Sequence, residues 1–221
     1  MRRSLSLIFD LDGTLIDSSS GVVEAVNYSF QKLGLPERSH AEISRHIGFP
    51  LKKMYADFGV GPFDELYRHF QDRAATSVIA AAEPLPGAHD AAERLFAEGY
   101  SMAIATTKVR RHVDQIVAKL GWTEFFPVLI GGDEVSLPKP APDAFRLAMD
   151  RMKSAPRNSI VIGDTINDVL AARQLDIPVV AVLSPYGGID ELRASAPDYV
   201  VDSIALLPDL LSELHSRKEA T

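Results

Sequence analysis

Residues 5–15 read LSLIFDLDGTL, in which the apolar run 7–9 stops at two acidic residues, Asp10 and Asp12. An apolar run that ends at a turn residue, here Gly13, is typical of a buried strand. Open α/β sheets bind their ligands in the crevice at the carboxyl ends of the strands. Two neighbouring carboxylates repel each other, so they require a cation or a proton to coexist. The segment therefore predicts a strand whose end carries a charged site.

The composition is that of a soluble globular protein. Its 221 residues are 46% apolar and 24% charged, which suits one large domain or one domain with an insert. The net charge of −7 argues against nucleic acid or an anionic membrane as a partner, and the absence of cysteine excludes thiolate chemistry. No apolar run reaches the roughly 20 residues of a membrane span, and no secretory leader is visible. We therefore expect a cytoplasmic protein, either monomer or homodimer, with no membrane partner.

Several apolar runs predict strands that are buried on both faces. They occupy residues 5–9, 101–106, 128–131, 159–163, 179–183 and 199–201. Between some of them apolar residues recur at helical spacing, as at Val109, Val113, Ile116 and Leu120. Strands that alternate with helices form right-handed βαβ units. We therefore predict an α/β fold whose core is a Rossmann-like, doubly wound parallel sheet.

One connection is much longer than the others. Roughly 90 residues separate the first two predicted strands, whereas a whole βαβ unit needs about 30. This stretch has helical patterns of its own, predicted near 40–46, 50–58 and 63–80. We predict a helical cap domain at 16–84, inserted into a core of 1–15 and 85–221. The cap is expected to lie above the acidic end of the first strand.

Polar residues follow several of the predicted strands and should converge at one edge of the sheet. In chain order they are Asp10, Asp12, Thr106, Thr107, Lys108, Lys139, Asp164, Asn167 and Asp168. The four aspartates can carry four negative charges, an unfavourable excess over the single charge of Lys139 in a partly buried site. Carboxylates without His or Cys suit Mg²⁺, which binds together with substrate phosphate. We therefore predict Mg²⁺ as the cofactor.

Four motifs, in order, resemble those of haloacid dehalogenase superfamily phosphatases that carry a helical cap. They are DLDGTL at 10–15, Thr106, Lys139 within KPAPDAF, and GDTIND at 163–168. The resemblance spans residues 5–205. Shorter matches at Gly121-Trp122, Tyr186-Gly187-Gly188 and DYVVD at 198–202 are similar to the phosphoglycolate phosphatase-like branch of that family.

The resemblance implies a role for each matching residue. Asp10 would attack phosphorus to form an aspartyl-phosphate, and Asp12 would be the general acid and then the general base. Mg²⁺ would be held by the carboxylates of Asp10 and Asp164 and by the backbone carbonyl of Asp12. Thr106 and Lys139 would bind and neutralise the phosphoryl group that is transferred.

The remaining predicted site residues support the metal or contact the substrate. Asp168 and Asn167 are expected just behind the metal ligands, where Asp168 would orient a metal-bound water or Lys139. The predicted phosphate or substrate contacts are Gly13, Thr107, Lys108, Arg45 and Lys52. Thr107 departs from the Asn of many relatives, which predicts altered substrate contacts. Arg45 and Lys52, with His46 and Lys53, form a basic cluster that could equally be a solvated helix face.

The histidines outside this basic cluster have no metal-ligand spacing with one another. They are His40, His69, His89, His112 and His215, and we interpret them as surface or structural residues.

The predicted function is a Mg²⁺-dependent phosphatase that acts on a small phosphorylated metabolite, with 2-phosphoglycolate as the single best guess. Within enzymes, a β-phosphoglucomutase-type phosphotransferase and an inorganic pyrophosphatase remain open. A receiver-like switch that is phosphorylated on Asp is the alternative that is not an enzyme. A helical insert of the predicted length is unusual for such a switch, since loops in compact domains are short.

Overall fold

Strands and helices alternate along residues 5–186 and 188–219, which this computed structural model describes. The strands in these ranges are β1 Ser6–Phe9, β2 Ile16–Asp17, β3 Glu83–Pro84, β4 Ser101–Ala105, β5 Val128–Ile130, β6 Ser159–Gly163, β7 Val179–Val182 and β8 Tyr199–Val201. The α-helices are α1 Ser19–Lys32, α2 His40–Ser44, α3 Leu51–Asp57, α4 Phe63–Ala81, α5 Ala88–Ala97, α6 Arg110–Lys119, α7 Asp143–Met152, α8 Ile166–Arg173, α9 Ile189–Ala194 and α10 Leu207–Glu219. None of the described helices is long and apolar enough to cross a membrane.

Six of the strands form one parallel sheet in the order β5-β4-β1-β6-β7-β8. Each corresponds to a strand predicted from the sequence, with ends that agree within one residue. The first strand, β1, lies between β4 and β6, so the chain winds outward in both directions from it. Ligands bind at such a switch point in open α/β sheets. The predicted doubly wound α/β fold is confirmed.

Strands β1, β6 and β7 are buried on both faces, as their continuous apolar runs predicted, whereas Val200 of the edge strand β8 is 40% exposed. Adjacent strand residues point to opposite faces. Phe9 and Ile104 accordingly belong to one apolar cluster and Ile8 and Ala103 to the other. Helices cover both faces, and this is the usual surrounding of a parallel sheet. The result is a rigid sheet whose carboxyl edge positions the polar residues that follow each strand.

Helices α1 to α4 form the insert between β2 and β3. Helices α1 and α4 pack closely because Gly21 lies against the backbone of Ser77, where a Cβ atom would collide with the Ser77 carbonyl oxygen. The Ser77 hydroxyl donates a hydrogen bond of 3.0 Å to the Gly21 carbonyl. Phe30 and Tyr55 fill the space among the helices, with ring centroids 5.8 Å apart. The helices predicted at 40–46, 50–58 and 63–80 lie within two residues of α2, α3 and α4.

The two chain crossings between insert and sheet are joined by a short antiparallel ribbon. Strand β2 pairs with β3, with Ile16 opposite Pro84 and Asp17 opposite Glu83. Two-residue strands leave no periodic signal, and the sequence did not predict this ribbon. The two strands of the ribbon lie at the two ends of the proposed cap. The assignment of residues 16–84 to a separate cap domain stays a prediction.

Candidate active site

The turn after β1 brings the first motif to the edge of the sheet. The Asp10 amide donates to the Ile162 carbonyl at 2.8 Å, so the chain remains attached to β6 where the carboxylate emerges. Gly13 then reverses the chain with φ of +80°, a conformation that glycine adopts readily. A Cβ atom at Gly13 would collide with the Asp164 carboxylate. Glycine is therefore required here by both the turn and the neighbouring acid.

Lys139 lies buried between two carboxylates of this edge. Its Nζ is 2.8 Å from Asp10 Oδ1 and 2.7 Å from Asp168 Oδ1, and only 2% of the lysine is exposed. Burial lowers the pKa of this ammonium, but Asp10 and Asp168 raise it further, so the net shift is upward and Lys139 stays charged. The sequence-predicted convergence of these three residues is present in the structure.

The acidic residues of the same edge carry more negative charge than Lys139 balances. Ligand oxygens of Asp10, Asp164 and Asp168 all lie within 4.8 Å of one another. Burial raises the pKa of Asp10 to about 6, although Lys139 opposes the rise. Burial and the charges of Asp10 and Asp168 also hold the pKa of Asp164 well above its usual range. This excess of buried carboxylate, with oxygen donors alone, fits a hard divalent cation.

Asp168 is engaged through both of its oxygens. Oδ1 accepts from Lys139, while Oδ2 accepts from the Thr165 amide at 3.1 Å and from the Thr165 hydroxyl at 2.8 Å. Asp168 thus fixes Lys139 and the start of α8. Asn167 points elsewhere, since its side-chain amide donates to the Gly48 carbonyl of the insert at 3.5 Å.

The carboxylate of Asp12 has different surroundings from that of Asp10. Asp12 Oδ1 accepts a hydrogen bond of 2.5 Å from the Ser18 hydroxyl, and its Oδ2 lies 3.2 Å from Lys108 Nζ. Lys108, which the sequence predicted as a phosphate or substrate contact, is therefore bound to Asp12. The two acids of the first motif thus have separate basic partners, Lys139 for Asp10 and Lys108 for Asp12.

The loop after β4 supplies two of the predicted threonines. Thr106 is buried, its amide donates to the Ile130 carbonyl at 3.1 Å, and its hydroxyl accepts from the Lys108 amide at 3.3 Å. Thr107 lies at the wall of a cavity between core and insert. Both threonines are at the same edge of the sheet as the acidic residues, as the sequence predicted.

Two cavities lie where the insert meets the sheet edge. The larger, of about 270 Å³, reaches Asp12 and Lys108 and is bounded by the insert. The smaller, of about 190 Å³, reaches Asp164 and Arg45. Phe49 and Ile47 of the insert line both of them. The insert therefore covers the acidic end of β1, on the side where the sequence placed it.

The basic residues of the insert do not form one cluster. Lys53 and His46 both bind Asp57 within the insert, at 2.8 and 3.2 Å. Arg45 lines the smaller cavity and Lys52 the larger one. The i,i+4 pair of Lys53 and Asp57 is a local helix contact that competes with substrate. Substrate binding by Arg45 and Lys52 stays a prediction.

Ser18 and Tyr186 were not among the predicted site residues. The Tyr186 hydroxyl donates to Asp17 Oδ1 at 3.0 Å and accepts from the Ser18 amide at 3.2 Å, so it ties the ribbon to the core. Tyr186 lies 168 and 169 positions from Ser18 and Asp17, so no local pattern could have predicted its contacts.

His112 is the third residue that the sequence did not assign to the site. It is buried beside Lys108 in the wall of the larger cavity, and no described residue pairs with its Nε2. Burial, assisted by the charge of Lys108, lowers the pKa of His112 to about 4. His112 follows Val109 by three positions and precedes Ile116 by four, which places it on the apolar stripe of α6 and was a signal for burial.

Comparison with known proteins agrees with this geometry. A family model of haloacid dehalogenase-like hydrolases matches residues 7–182. The chain belongs to this family. Its relatives include a probable phosphatase IndB of Dickeya dadantii, 31% identical over 90% of both chains. They also include a phosphoglycolate phosphatase of Nitrosococcus oceani, 28% identical over 96% of this chain and 99% of the relative.

Two further proteins are similar over most of the chain. A pyrophosphatase PpaX of Bacillus velezensis is 27% identical over 92% of this haloacid dehalogenase-like hydrolase and 94% of the relative. A solved structure of a haloacid dehalogenase-like family hydrolase from Streptococcus pneumoniae superposes with a TM-score of 0.83 at 30% identity, covering 94% of this chain and 99% of that one. The predicted fold, family and class of enzyme, a phosphatase of the haloacid dehalogenase-like family, are confirmed.

Proposed function

We propose that this chain is a Mg²⁺-dependent phosphatase of small phosphorylated metabolites that works through an aspartyl-phosphate on Asp10. The observation that carries the proposal is the buried group of Asp10, Asp164 and Asp168 around Lys139, with the separately held Asp12 beside it. A phosphoryl group brings its own negative charge, and this edge combines a lysine with a site suited to a divalent cation. Phosphoryl transfer depends mainly on such positioning and charge stabilisation.

In the first step, one carboxylate oxygen of Asp10 attacks phosphorus. The bond between phosphorus and the ester oxygen breaks, and its electron pair goes to the leaving oxygen. Asp12 supplies the proton that this oxygen takes up, so an alcohol departs and Asp10 carries the phosphoryl group. Thr106 and Lys139 would donate to the phosphoryl oxygens and stabilise their charge.

In the second step, Asp12 acts as a base. It accepts a proton from water while the water oxygen attacks phosphorus, and the bond between phosphorus and Asp10 breaks to release inorganic phosphate. The hydroxyl of Ser18, 2.5 Å from Asp12, would hold the carboxylate in place for both transfers.

The predicted magnesium ion would be held by the carboxylates of Asp10 and Asp164 and by the backbone carbonyl of Asp12. When bound, it supplies positive charge that offsets the buried acids and the phosphoryl group. Both oxygens of Asp168 are already engaged by Lys139 and Thr165, which favours a supporting role for Asp168.

The sequence resemblance and the names of two relatives supply two candidate substrates to test. The prediction of 2-phosphoglycolate is supported by the relative named phosphoglycolate phosphatase, and pyrophosphate by the relative named pyrophosphatase PpaX. Assays of inorganic phosphate release test both compounds and β-glucose 1-phosphate. A phosphatase would release phosphate, whereas a phosphotransferase would pass the phosphoryl group of β-glucose 1-phosphate to a sugar. The cytoplasmic location and the choice between monomer and homodimer stay predictions.

The test of the mechanism is Asp10→Asn, which keeps the shape of the side chain but removes the attacking carboxylate. We expect loss of measurable phosphate release and of the acid-stable adduct that mass spectrometry would detect after rapid acid quenching of the wild type. Asp90→Asn, an exposed change on α5, is the matched control and should leave both unchanged. An adduct that persists in Asp10→Asn would refute Asp10 as the nucleophile.

A further inference from the structure

The larger cavity differs from the smaller one in its chemistry as well as in its size. We propose that the substrate of this enzyme is a phosphate monoester whose leaving alcohol is uncharged, apolar and larger than a benzene ring. This inference rests on the proposed function, since that function makes Asp12 the proton donor to the leaving oxygen. The alcohol must therefore lie on the Asp12 side of the phosphoryl group.

The position of Asp12 decides which cavity holds the alcohol. Asp12 and Lys108 line the larger cavity, whereas Asp164, a predicted metal ligand, lines the smaller. A phosphoryl group attached to Asp10 would thus have the metal side on one flank and the larger cavity on the other. The larger cavity is the compartment of the leaving group.

The wall of the larger cavity that the insert provides is mainly apolar. Among the insert residues that line it are Val22, Phe49, Leu51, Met54, Phe63 and Phe70. Apolar surface gains free energy only when it is removed from water, by about 25 cal/mol for each Å². A small hydrated acid would leave these walls wet, so they favour an apolar occupant.

The volume of the cavity supports a large occupant. At about 270 Å³ it exceeds the ~150 Å³ of an engineered apolar cavity that binds benzene. Glycolate and phosphate, the leaving groups of 2-phosphoglycolate and pyrophosphate, are smaller and more polar than benzene. Neither glycolate nor phosphate would fill the space between the insert and the sheet edge.

The cationic groups at this cavity are largely committed to carboxylates of the protein. Lys108 is bound to Asp12 at 3.2 Å, and His46 lies 3.2 Å from Asp57. His112, with its pKa near 4, is neutral at neutral pH. Lys52 also lines the cavity, with its Nζ 5.8 Å from the Phe63 ring centroid. A leaving group with a second negative charge would thus depend on Lys52.

The experiment compares kcat/KM, with Mg²⁺ present, for ethyl, butyl, hexyl and 2-phenylethyl phosphate against 2-phosphoglycolate and pyrophosphate. The leaving alcohols of the first four are similar in acidity, so differences among them report binding. We expect kcat/KM to rise by about threefold to fourfold for each methylene until the cavity is filled. Hexyl and 2-phenylethyl phosphate should then exceed ethyl phosphate by at least tenfold, on the same estimate, and should exceed both anionic compounds.

Two variants localise the effect. Phe63→Ala should reduce the ratio of kcat/KM for hexyl over ethyl phosphate by about fivefold, because a ring that lines the cavity is lost. The ratio is taken within one preparation, so partial misfolding cancels. The matched control is Phe96→Ala, an exposed phenylalanine on α5 that does not line the cavity, and it should leave the ratio unchanged.

The inference would be overturned if kcat/KM did not rise from ethyl to hexyl phosphate. It would also be overturned if 2-phosphoglycolate or pyrophosphate were the best substrate. Either result would leave the phosphatase function intact. A large loss of 2-phosphoglycolate hydrolysis in Lys52→Met, with that compound the preferred substrate, would point the same way. Hydrolysis of none of the six compounds would overturn the proposed function, and the inference with it.

Discussion

The two walls of the active site, the sheet edge and the insert, differ in how they use charge. At the sheet edge, Lys139 is buried between Asp10 and Asp168 and only 2% of the residue is exposed. On the insert, Lys53 and Asp57 form an exposed pair within one helix, and apolar side chains face the larger cavity. The sheet edge is suited to stabilising a phosphoryl group, whereas the insert is suited to selecting what is attached to it.

The largest effect is expected from removing the buried ion pairs of Lys139 at the sheet edge. Lys139→Met leaves Asp10 and Asp168 buried without their cation, which costs about 3–5 kcal/mol of unfolding free energy. It also removes the proposed donor to the phosphoryl group, so kcat should fall by about 10²–10³. Urea unfolding and steady-state kinetics measure the two losses. Unchanged kcat in a folded variant would contradict the assigned role of Lys139.

Removal of the proposed Mg²⁺ should expose the same charge excess. Folding raises the pKa of Asp10 from 3.8 to about 6, so the unfolded chain loses this proton first as the pH rises. The unfolding free energy of the metal-free protein should therefore decrease between about pH 4 and pH 6, by on the order of 3 kcal/mol from Asp10. Mg²⁺ should offset the loss, because at the proposed site it would bind the ionised carboxylates.

Urea titrations in EDTA at pH 4.5 and pH 7, repeated with Mg²⁺, measure this effect. Asp10→Asn is the control, since without the carboxyl group the pH-dependent loss should shrink. Equal stability gains from Mg²⁺ at both pH values would argue against a site made of these carboxylates.

A smaller effect is expected where the insert and the sheet edge meet. Ser18→Ala removes the hydrogen bond to Asp12, and a bond to a charged group contributes about 1.5–3 kcal/mol. If Asp12 moves the proton, kcat should fall by about tenfold or more and its pH profile should shift. Ser18→Thr keeps the hydroxyl and should restore part of the activity. A change in KM alone would show that Ser18 acts only on binding.

The smallest effect concerns charge on the insert. Lys53→Met breaks an exposed i,i+4 pair with Asp57, which should cost about 0.3–0.5 kcal/mol of stability and leave kcat unchanged. Thermal melting and steady-state kinetics of Lys53→Met and Lys139→Met, measured side by side, compare the two walls directly. A loss of activity similar to that of Lys139→Met would remove the distinction between them.

The sequence was sufficient for the sheet edge because parallel topology does most of the positioning. Once Asp10, Lys139 and Asp164 follow strands or loops of one parallel sheet, their convergence is a consequence of strand direction. The insert was less predictable. Arg45 and Lys52 are seven positions apart, yet they line different cavities, since the fold of the connecting turn decides which way each side chain faces.

Contacts between distant segments were not predictable for a related reason. The hydroxyl of Tyr186 meets Asp17 and Ser18 only because the ribbon returns the chain to the core. No spacing rule links residues that are 169 positions apart.

The place of Ser18 has a consequence for timing. Ser18 lies between the ribbon and α1, so it belongs to the segment about which the insert would swing, yet its hydroxyl is bound to Asp12. An outward swing that admits substrate or releases product would pull this hydroxyl from the carboxylate. We expect proton transfer by Asp12 to stop whenever the insert swings away from the sheet edge, so that water entering from solvent is not activated in that state.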